Sequence, residues 1–325
     1  MVFRMKWLLP ENLSDALPAE AMTIERLRRQ LLDRFFARGY ELVMPPMLEF
    51  VDSLLTGSGR ELDDRTIKLV DQLSGKPIGV RADMTPQVAR IDAHLLKNRE
   101  GANRLCYCGS ALHARPAHLY ASREPMQIGA ELFGLPGTGA DAEILQLAVD
   151  TLGEAGIDGF LLDLGHVGIL RALLGAARAD GEIEPRILSA LQKKDMPALE
   201  ALTAALPAPW GKAVCALPNL RGDAQKTLAT AQDTLPDLPE IRAALSTLAA
   251  LAGVTSANLS IDLSDLRGYR YHNGVVFSAY APGAPAPILS GGRYDGIGKG
   301  FGRDRPATGF SSDLRELARL SSLPS

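Results

Sequence analysis

The residues best placed to do chemistry lie on one short segment, Met126-Gln127-Ile128-Gly129-Ala130-Glu131-Leu132-Phe133. In an extended strand Gln127, Gly129 and Glu131 share one face, while Met126, Ile128 and Ala130 share the other. Such a strand offers an amide and a carboxylate from a sheet floor, with Gly129 leaving room for a ligand between them. A buried Glu131 without a cation is costly, so an ammonium or an arginine opposite it is expected. A half-exposed strand with a solvated polar face is the alternative reading.

Two further segments carry polar groups in similar concentration. Arg81-Ala82-Asp83-Met84-Thr85-Pro86-Gln87 joins a strand to a helix whose apolar positions include Val88 and Leu95. Asp83 suits an N-cap there and Pro86 the first turn, and Asp83 equally suits an anion that holds a ligand's ammonium. Asp265-Leu266-Arg267-Gly268-Tyr269-Arg270-Tyr271-His272-Asn273-Gly274 combines fork-shaped donors for a carboxylate with polar aromatic walls for a ring. His272 alone reads equally well as a core or surface histidine, and His113, His118 and His166 show no metal spacing.

These segments need a frame. Ile24, Leu27, Leu31 and Phe35 recur at helical spacing up to Gly39, and Tyr40 to Met44 then alternate as a strand stopped by Pro45-Pro46. Strands are expected at Ile78 to Arg81, Leu105 to Tyr107, Pro125 to Phe133, Phe160 to Leu164, Asn258 to Leu263 and Val275 to Tyr280. From about Gly168 to Gly253 the pattern becomes Ala- and Leu-rich and helical, interrupted by prolines. The expected fold is therefore α+β: an antiparallel sheet flanked by helices, formed by residues 1–167 and 254–325, with a helical insertion at 168–253.

Composition narrows the class. The chain has 325 residues, 46% apolar and 22% charged, enough for a sizeable core. Its net charge of −3 supplies no field that would draw nucleic acid non-specifically. Cys106, Cys108 and Cys215 form neither a disulfide framework nor a zinc site, and no apolar run is long enough to span a membrane. A cytoplasmic protein without metal, membrane or nucleic-acid partner is expected.

Taken in order, the segments resemble the catalytic domain of histidyl-tRNA synthetase, a class II aminoacyl-tRNA synthetase, from about Leu8 to Leu317. The resemblance rests on Pro45-Pro46, Arg81 to Thr85, Gln127 to Glu131, Leu164-Gly165-His166, Arg267 to Phe277 and Gly291-Gly292-Arg293-Tyr294-Asp295-Gly296. It implies a histidine-binding pocket formed by Asp83, Thr85, Gln127, Glu131, Arg267, His272 and Tyr294. Glu131 and Asp83 would hold the ammonium, Gln127 and Thr85 add hydrogen bonds, Arg267 face the carboxylate, and Tyr294 with His272 line the imidazole.

The departures concern the nucleotide. Where the family's third motif reads Gly-Leu-Glu-Arg, this chain has Asp313-Leu314-Arg315-Glu316, a carboxylate in place of the phosphate-binding arginine. Ala111-Leu112-His113-Ala114-Arg115 replaces Phe-Arg-x-Glu and is one residue shorter. His272 and Arg270 replace the second tyrosine and the aspartate of the histidine-specific segment. No anticodon-binding domain is expected, and catalytic residues and cofactors are expected to be absent.

Trp7-Leu8-Leu9-Pro10-Glu11-Asn12, Ala82 to Gln87 and Ser122-Arg123-Glu124-Pro125 are similar to the regulatory subunits of ATP phosphoribosyltransferase. That resemblance implies a non-catalytic member of a hetero-oligomer with a short catalytic subunit, L-histidine as effector, and self-dimerisation through the first motif. A stand-alone amino-acid-activating enzyme is the alternative function.

Overall fold

The computed structural model describes residues 8–56, 59–119, 121–255 and 257–322; Trp7 of the N-terminal segment lies outside them. The strands are β1 (Glu41–Leu42), β2 (Leu48–Phe50), β3 (Ile67–Val70), β4 (Pro77–Val80), β5 (Asn103–Ser110), β6 (Met126–Phe133), β7 (Leu161–His166), β8 (Arg221–Asp223), β9 (Asn258–Asp262), β10 (Val275–Tyr280), β11 (Leu289–Arg293) and β12 (Ala307–Asp313). Nine form one sheet in the order β1-β5-β6-β12-β11-β10-β7-β9-β8, and β2-β4-β3 form a second. The large sheet is antiparallel except at β1·β5 and β7·β9.

The helix Pro18–Ala37 buries the predicted Ile24, Leu27, Leu31 and Phe35 against this sheet, with Phe35 edge-on to Phe310 at 6.0 Å. It ends as expected at Gly39, whose φ of +81° is a left-handed conformation that glycine adopts without a Cβ penalty. The strand expected from Tyr40 to Met44 shrinks to Glu41–Leu42. Pro45 and Pro46 lack N–H groups and turn the chain away, and their carbonyls go to Arg81 and Gln87 instead of a ladder. The helix Thr138–Glu154 covers the same sheet face and adds Ile144, Leu145 and Leu152 to the core.

Helices Ile183–Lys193, Met196–Thr203, Trp210–Ala216, Ala224–Thr234 and Pro239–Ala252 follow β7, and Ile187, Leu191, Val214 and Leu248 join the same core as the sheet. β8 interrupts these helices and pairs antiparallel with β9 at the sheet edge.

The opposite face is nearly bare. Register places Tyr107, Gly129, Ser311, Ser290, Ser278 and Asp163 in one row across six strands. The adjacent row runs Leu105, Glu131, Gly309, Gly292, Val276 and Gly165. Directly paired residues point to the same side of a sheet. The small side chains of Gly129, Ser311, Ser290, Gly309 and Gly292 in the middle of these rows form a low floor beside Tyr107, from which Glu131 stands up.

Candidate functional site

Glu131 is 1% exposed, and its three hydrogen-bond donors are all hydroxyls. Thr85 Oγ1 and the Tyr107 hydroxyl each donate to Oε1 at 2.9 Å, and the Tyr294 hydroxyl donates to Oε2. The arginine expected opposite this carboxyl is not there: among the described residues no Lys or Arg forms an ion pair with it. Burial pushes its pKa up to about 8, only partly offset by the Tyr294, Thr85 and Tyr107 hydroxyls. Three neutral hydroxyls meet the oxygens without supplying a compensating charge, so the carboxyl keeps its proton up to about pH 8 in the absence of a cationic ligand.

Close approach requires glycine on two neighbouring strands. A Cβ on Gly309 would overlap Glu131 Oε2, and one on Gly129 would meet the Tyr107 hydroxyl at 2.6 Å. Tyr107 was not anticipated from sequence, although it pairs with Gly129 and, with Phe310 O, fills the space that a Cβ there would need.

Asp83 and Gln127 sit beside this centre. Asp83 Oδ1 accepts from Thr85 N at 2.9 Å and from Gln127 Nε2 at 2.8 Å, while Gln127 Oε1 accepts from Met84 N at 2.8 Å. The N-cap of the helix Thr85–Arg90 is Met84 and not Asp83 as expected; Asp83, one position earlier, accepts from the first helical N–H and also lines a cleft. Both bonds fall on Oδ1; among the described residues no donor engages Oδ2. Arg81, by contrast, is structural, clamping Ser110 O and Pro45 O at 2.7 Å each.

The segment Arg267 to Phe277 meets this centre through an aromatic ring. Arg267 forks onto Asp265 and lies over the Tyr280 ring at 5.2 Å, so its guanidinium is engaged away from Glu131. It is Tyr271 that stacks on Tyr294, with centroids 5.0 Å apart and planes at 26°. Its hydroxyl is buried without a hydrogen-bond partner. His272 packs edge-on behind this pair, 5.1 Å from Tyr271 and 6.3 Å from Tyr294. Gly268 and Gly292 make room for the imidazole, and burial holds its pKa down at about 4. The structure therefore unites Asp83, Thr85, Gln127, Glu131 and Tyr294, adds Tyr107 and Tyr271, sets His272 in the layer behind, and turns Arg267 elsewhere.

A cleft of about 1190 Å³ opens beside Asp83 and Gln127, lined also by Arg65, His113, Ser290, Ser311, Asp313, Glu316 and Arg319. At its third-motif end both arginines already make hydrogen bonds. Glu316 holds Arg319 through two bonds of 2.9 and 2.6 Å, and Arg315 Nη1 donates to Ser14 O at 3.1 Å. Asp313 caps the last helix, accepting from Met126 N and Arg315 N at 3.0 Å, and burial pushes its pKa up to about 6. Arg293 of the Gly-Gly-Arg-Tyr segment is also engaged, buried against Asp141 at 2.9 Å and bonded to Asp295. A triphosphate placed here would face the Asp313 and Glu316 carboxylates, with Arg319 already paired to Glu316.

The sequence profile of the Histidyl-tRNA synthetase family matches residues 12–317. The ATP phosphoribosyltransferase regulatory subunit of Cupriavidus metallidurans is 58% identical over 317 residues, covering 97% of this chain and 82% of the relative. That of Burkholderia cenocepacia is 57% identical over 316 residues, with the same coverage of each. Among solved structures, an ATP phosphoribosyltransferase regulatory subunit/histidyl-tRNA synthetase from Bacillus halodurans superposes with a TM-score of 0.88 at 27% identity, covering 98% of this chain and 84% of that one. A chain of the ATP phosphoribosyl transferase complex from Thermotoga maritima, at 16% identity and a TM-score of 0.68 over 88% of this chain and 96% of that one, shares the fold. Among the described residues no helix is long and apolar enough to cross a membrane. With a histidyl-tRNA synthetase fold, an enclosed polar site and an altered nucleotide end, the chain belongs to the family of ATP phosphoribosyltransferase regulatory subunits.

Proposed function

We propose that the chain is a non-catalytic subunit required by a short-form ATP phosphoribosyltransferase in the first step of L-histidine biosynthesis, and that it mediates feedback inhibition by sensing histidine at Glu131. One contrast carries this reading. The amino-acid side of the site keeps its donors and acceptors, while the nucleotide side has its cations tied to Glu316 and to backbone carbonyls.

In this reading Asp83 receives the ligand ammonium. Glu131, enclosed by Tyr107, Tyr294 and the nearby Tyr271, suits the flat N–H ring better than the ammonium first assigned to it. Thr85 and Gln127 hold both carboxylates in place, and His272 supports the aromatic wall. Occupancy shifts the hetero-oligomer only by the difference in histidine affinity between its more and less active states.

Self-association is proposed through the small sheet. Leu48, Phe50, Leu69 and Val70 expose apolar surface there, with Val70 at 69%, beside Met44 and Met47. Phe50→Asp would then yield a smaller species by light scattering.

The deciding experiment is phosphoribosyl transfer by the short catalytic subunit from the same genome, with and without this chain, titrated with histidine. Activity that needs the chain and falls with histidine supports the proposal. Transfer indifferent to the chain overturns it.

A further inference from the structure

With Arg267 committed to Asp265, the carboxylate of an amino acid at this site needs another cation. Arg65, the last residue of the helix Gly59–Arg65, is exposed at the rim of the cleft that Asp83 and Gln127 line. Its Nη2 lies 2.8 Å from His113 Nε2 and 3.4 Å from Nδ1, and among the described residues it forms no ion pair with a carboxylate. The cleft's other arginines are engaged at the opposite end: Arg319 by Glu316, and Arg315 by Ser14 O beside Asp313.

The position of Arg65 is fixed from its backbone outward. Thr66 bridges to His113, and Ala114 N donates to Arg65 O at 2.8 Å. His113 Nε2 also lies 3.0 Å from Ala82 O, so this one nitrogen either accepts from Arg65 or donates to the carbonyl of the residue preceding Asp83, according to the tautomer. Burial, with Arg65 adding to it, lowers the His113 pKa to about 4, and Asp83 is near enough to act against that shift. The ring is therefore uncharged at neutral pH and does not compete for an anion.

We propose that Arg65 binds the carboxylate of an α-amino acid whose ammonium rests on Asp83, with His113 as the neutral spacer between the two charges. The assignment rests on reading the Asp83 and Glu131 centre as a histidine site. Arg65 presents fork geometry to a carboxylate that its present imidazole partner cannot fill. It would make the cleft select an amino acid over its decarboxylated or reduced analogues.

The test is calorimetric titration of the full chain and of Arg65→Gln, Arg65→Lys, Arg267→Gln, Asp83→Asn and Glu131→Gln with L-histidine and with L-histidinol, which lacks the carboxylate. Expected for Arg65→Gln is a loss of histidine affinity of at least about tenfold with histidinol affinity unchanged, the scale of one charge-assisted contact. Arg65→Lys restores part of the loss, and far-UV circular dichroism stays that of the parent. If Arg65→Gln weakens both ligands alike, or Arg267→Gln alone removes the preference for histidine, the assignment is wrong. If Arg65→Gln changes nothing while Asp83→Asn and Glu131→Gln abolish binding, Arg65 falls and the site stands. Should the parent bind neither ligand, or no variant alter binding, both fall together.

Discussion

Tyr294 donates its hydroxyl to Glu131 across a separation of 163 residues, and both residues are buried. The bond joins the Gly-Gly-Arg-Tyr segment to the Gln-x-Gly-x-Glu strand. Two motifs that read separately in the sequence are therefore halves of one device.

Tyr294→Phe should leave the stack on Tyr271 and the edge contact with Phe133 in place and remove only this donor. The expected cost is about 1–3 kcal/mol, since a buried carboxyl oxygen loses its partner. Because the hydroxyl holds the Glu131 pKa down, its loss moves that pKa further up. Urea unfolding measures the first effect, and the pH at which the protonated-carboxyl infrared band disappears measures the second. A variant as stable as the parent, with the band unmoved, would contradict the bond.

Glu131 also predicts a pH dependence. Its carboxyl titrates near the ordinary value of 4.5 in the unfolded chain, and burial pushes it up to about 8 when folded. Between these values the folded protein binds the proton that the unfolded chain has released, so this group's stabilisation is present below about 4.5 and is lost as pH rises through about 8. The stability difference between parent and Glu131→Gln should therefore move steadily against the parent across that window and level off above it. Denaturant titrations at half-unit pH steps check this, and a difference independent of pH would refute the raised pKa.

Gly309→Ala tests the bare floor. Its methyl would occupy the position of Glu131 Oε2 and lie 2.7 Å from Ala130 O, a clash with both side chain and backbone. A loss of about 1–3 kcal/mol is expected, as for overpacking in a core, together with loss of histidine binding. Normal histidine affinity in calorimetry would show that Glu131 has room to move.

Some of this arrangement was legible in the sequence. Strict alternation in Met126 to Phe133 predicted which side chains share a face, and helical spacing up to Gly39 predicted the first helix and its end. β11 and β12 were not predicted as strands, because Leu-Ser-Gly-Gly-Arg and Ala-Thr-Gly-Phe-Ser-Ser-Asp are poor in the residues that favour strands. Their small side chains are what the floor requires. No spacing could reveal the three hydroxyls on Glu131, since Thr85, Tyr107 and Tyr294 arrive from separate elements. Arg267 was assigned to a ligand from its motif; its guanidinium here forks onto Asp265 two residues away, a pairing that the motif did not disclose.

Arg293→Ala addresses the motif arginine that the fold uses for itself. Its guanidinium is buried with Asp141 and also donates to Asp295 and to Gly137 O. Removing it strands a buried carboxylate, which costs about 3–5 kcal/mol. Arg293→Lys should recover only part, because an ammonium cannot reproduce the fork. Thermal unfolding of the two variants gives the order, and an alanine variant within about 0.5 kcal/mol of the parent would assign the arginine to the surface class instead.

Glu316→Arg restores the cation that a nucleotide-binding third motif would carry, and it should not restore adenylate formation. The substitution breaks the pair with Arg319 and leaves two arginines three residues apart on the helix Leu314–Leu320. Their repulsion tends to keep the new side chain out of the cleft. Asp313, capping the same helix, stays at the floor with its carboxylate beside any incoming phosphate. At the second-motif position His113 is neutral, with Nε2 taken up by either Arg65 or Ala82 O, so a second phosphate contact is missing as well. Activation needs the triphosphate held in line with the amino acid, and one restored charge does not supply that orientation. Histidine-dependent pyrophosphate exchange measures it directly. The expected rate for Glu316→Arg equals that without enzyme, and exchange above that background would mean that the nucleotide site had lost only one group.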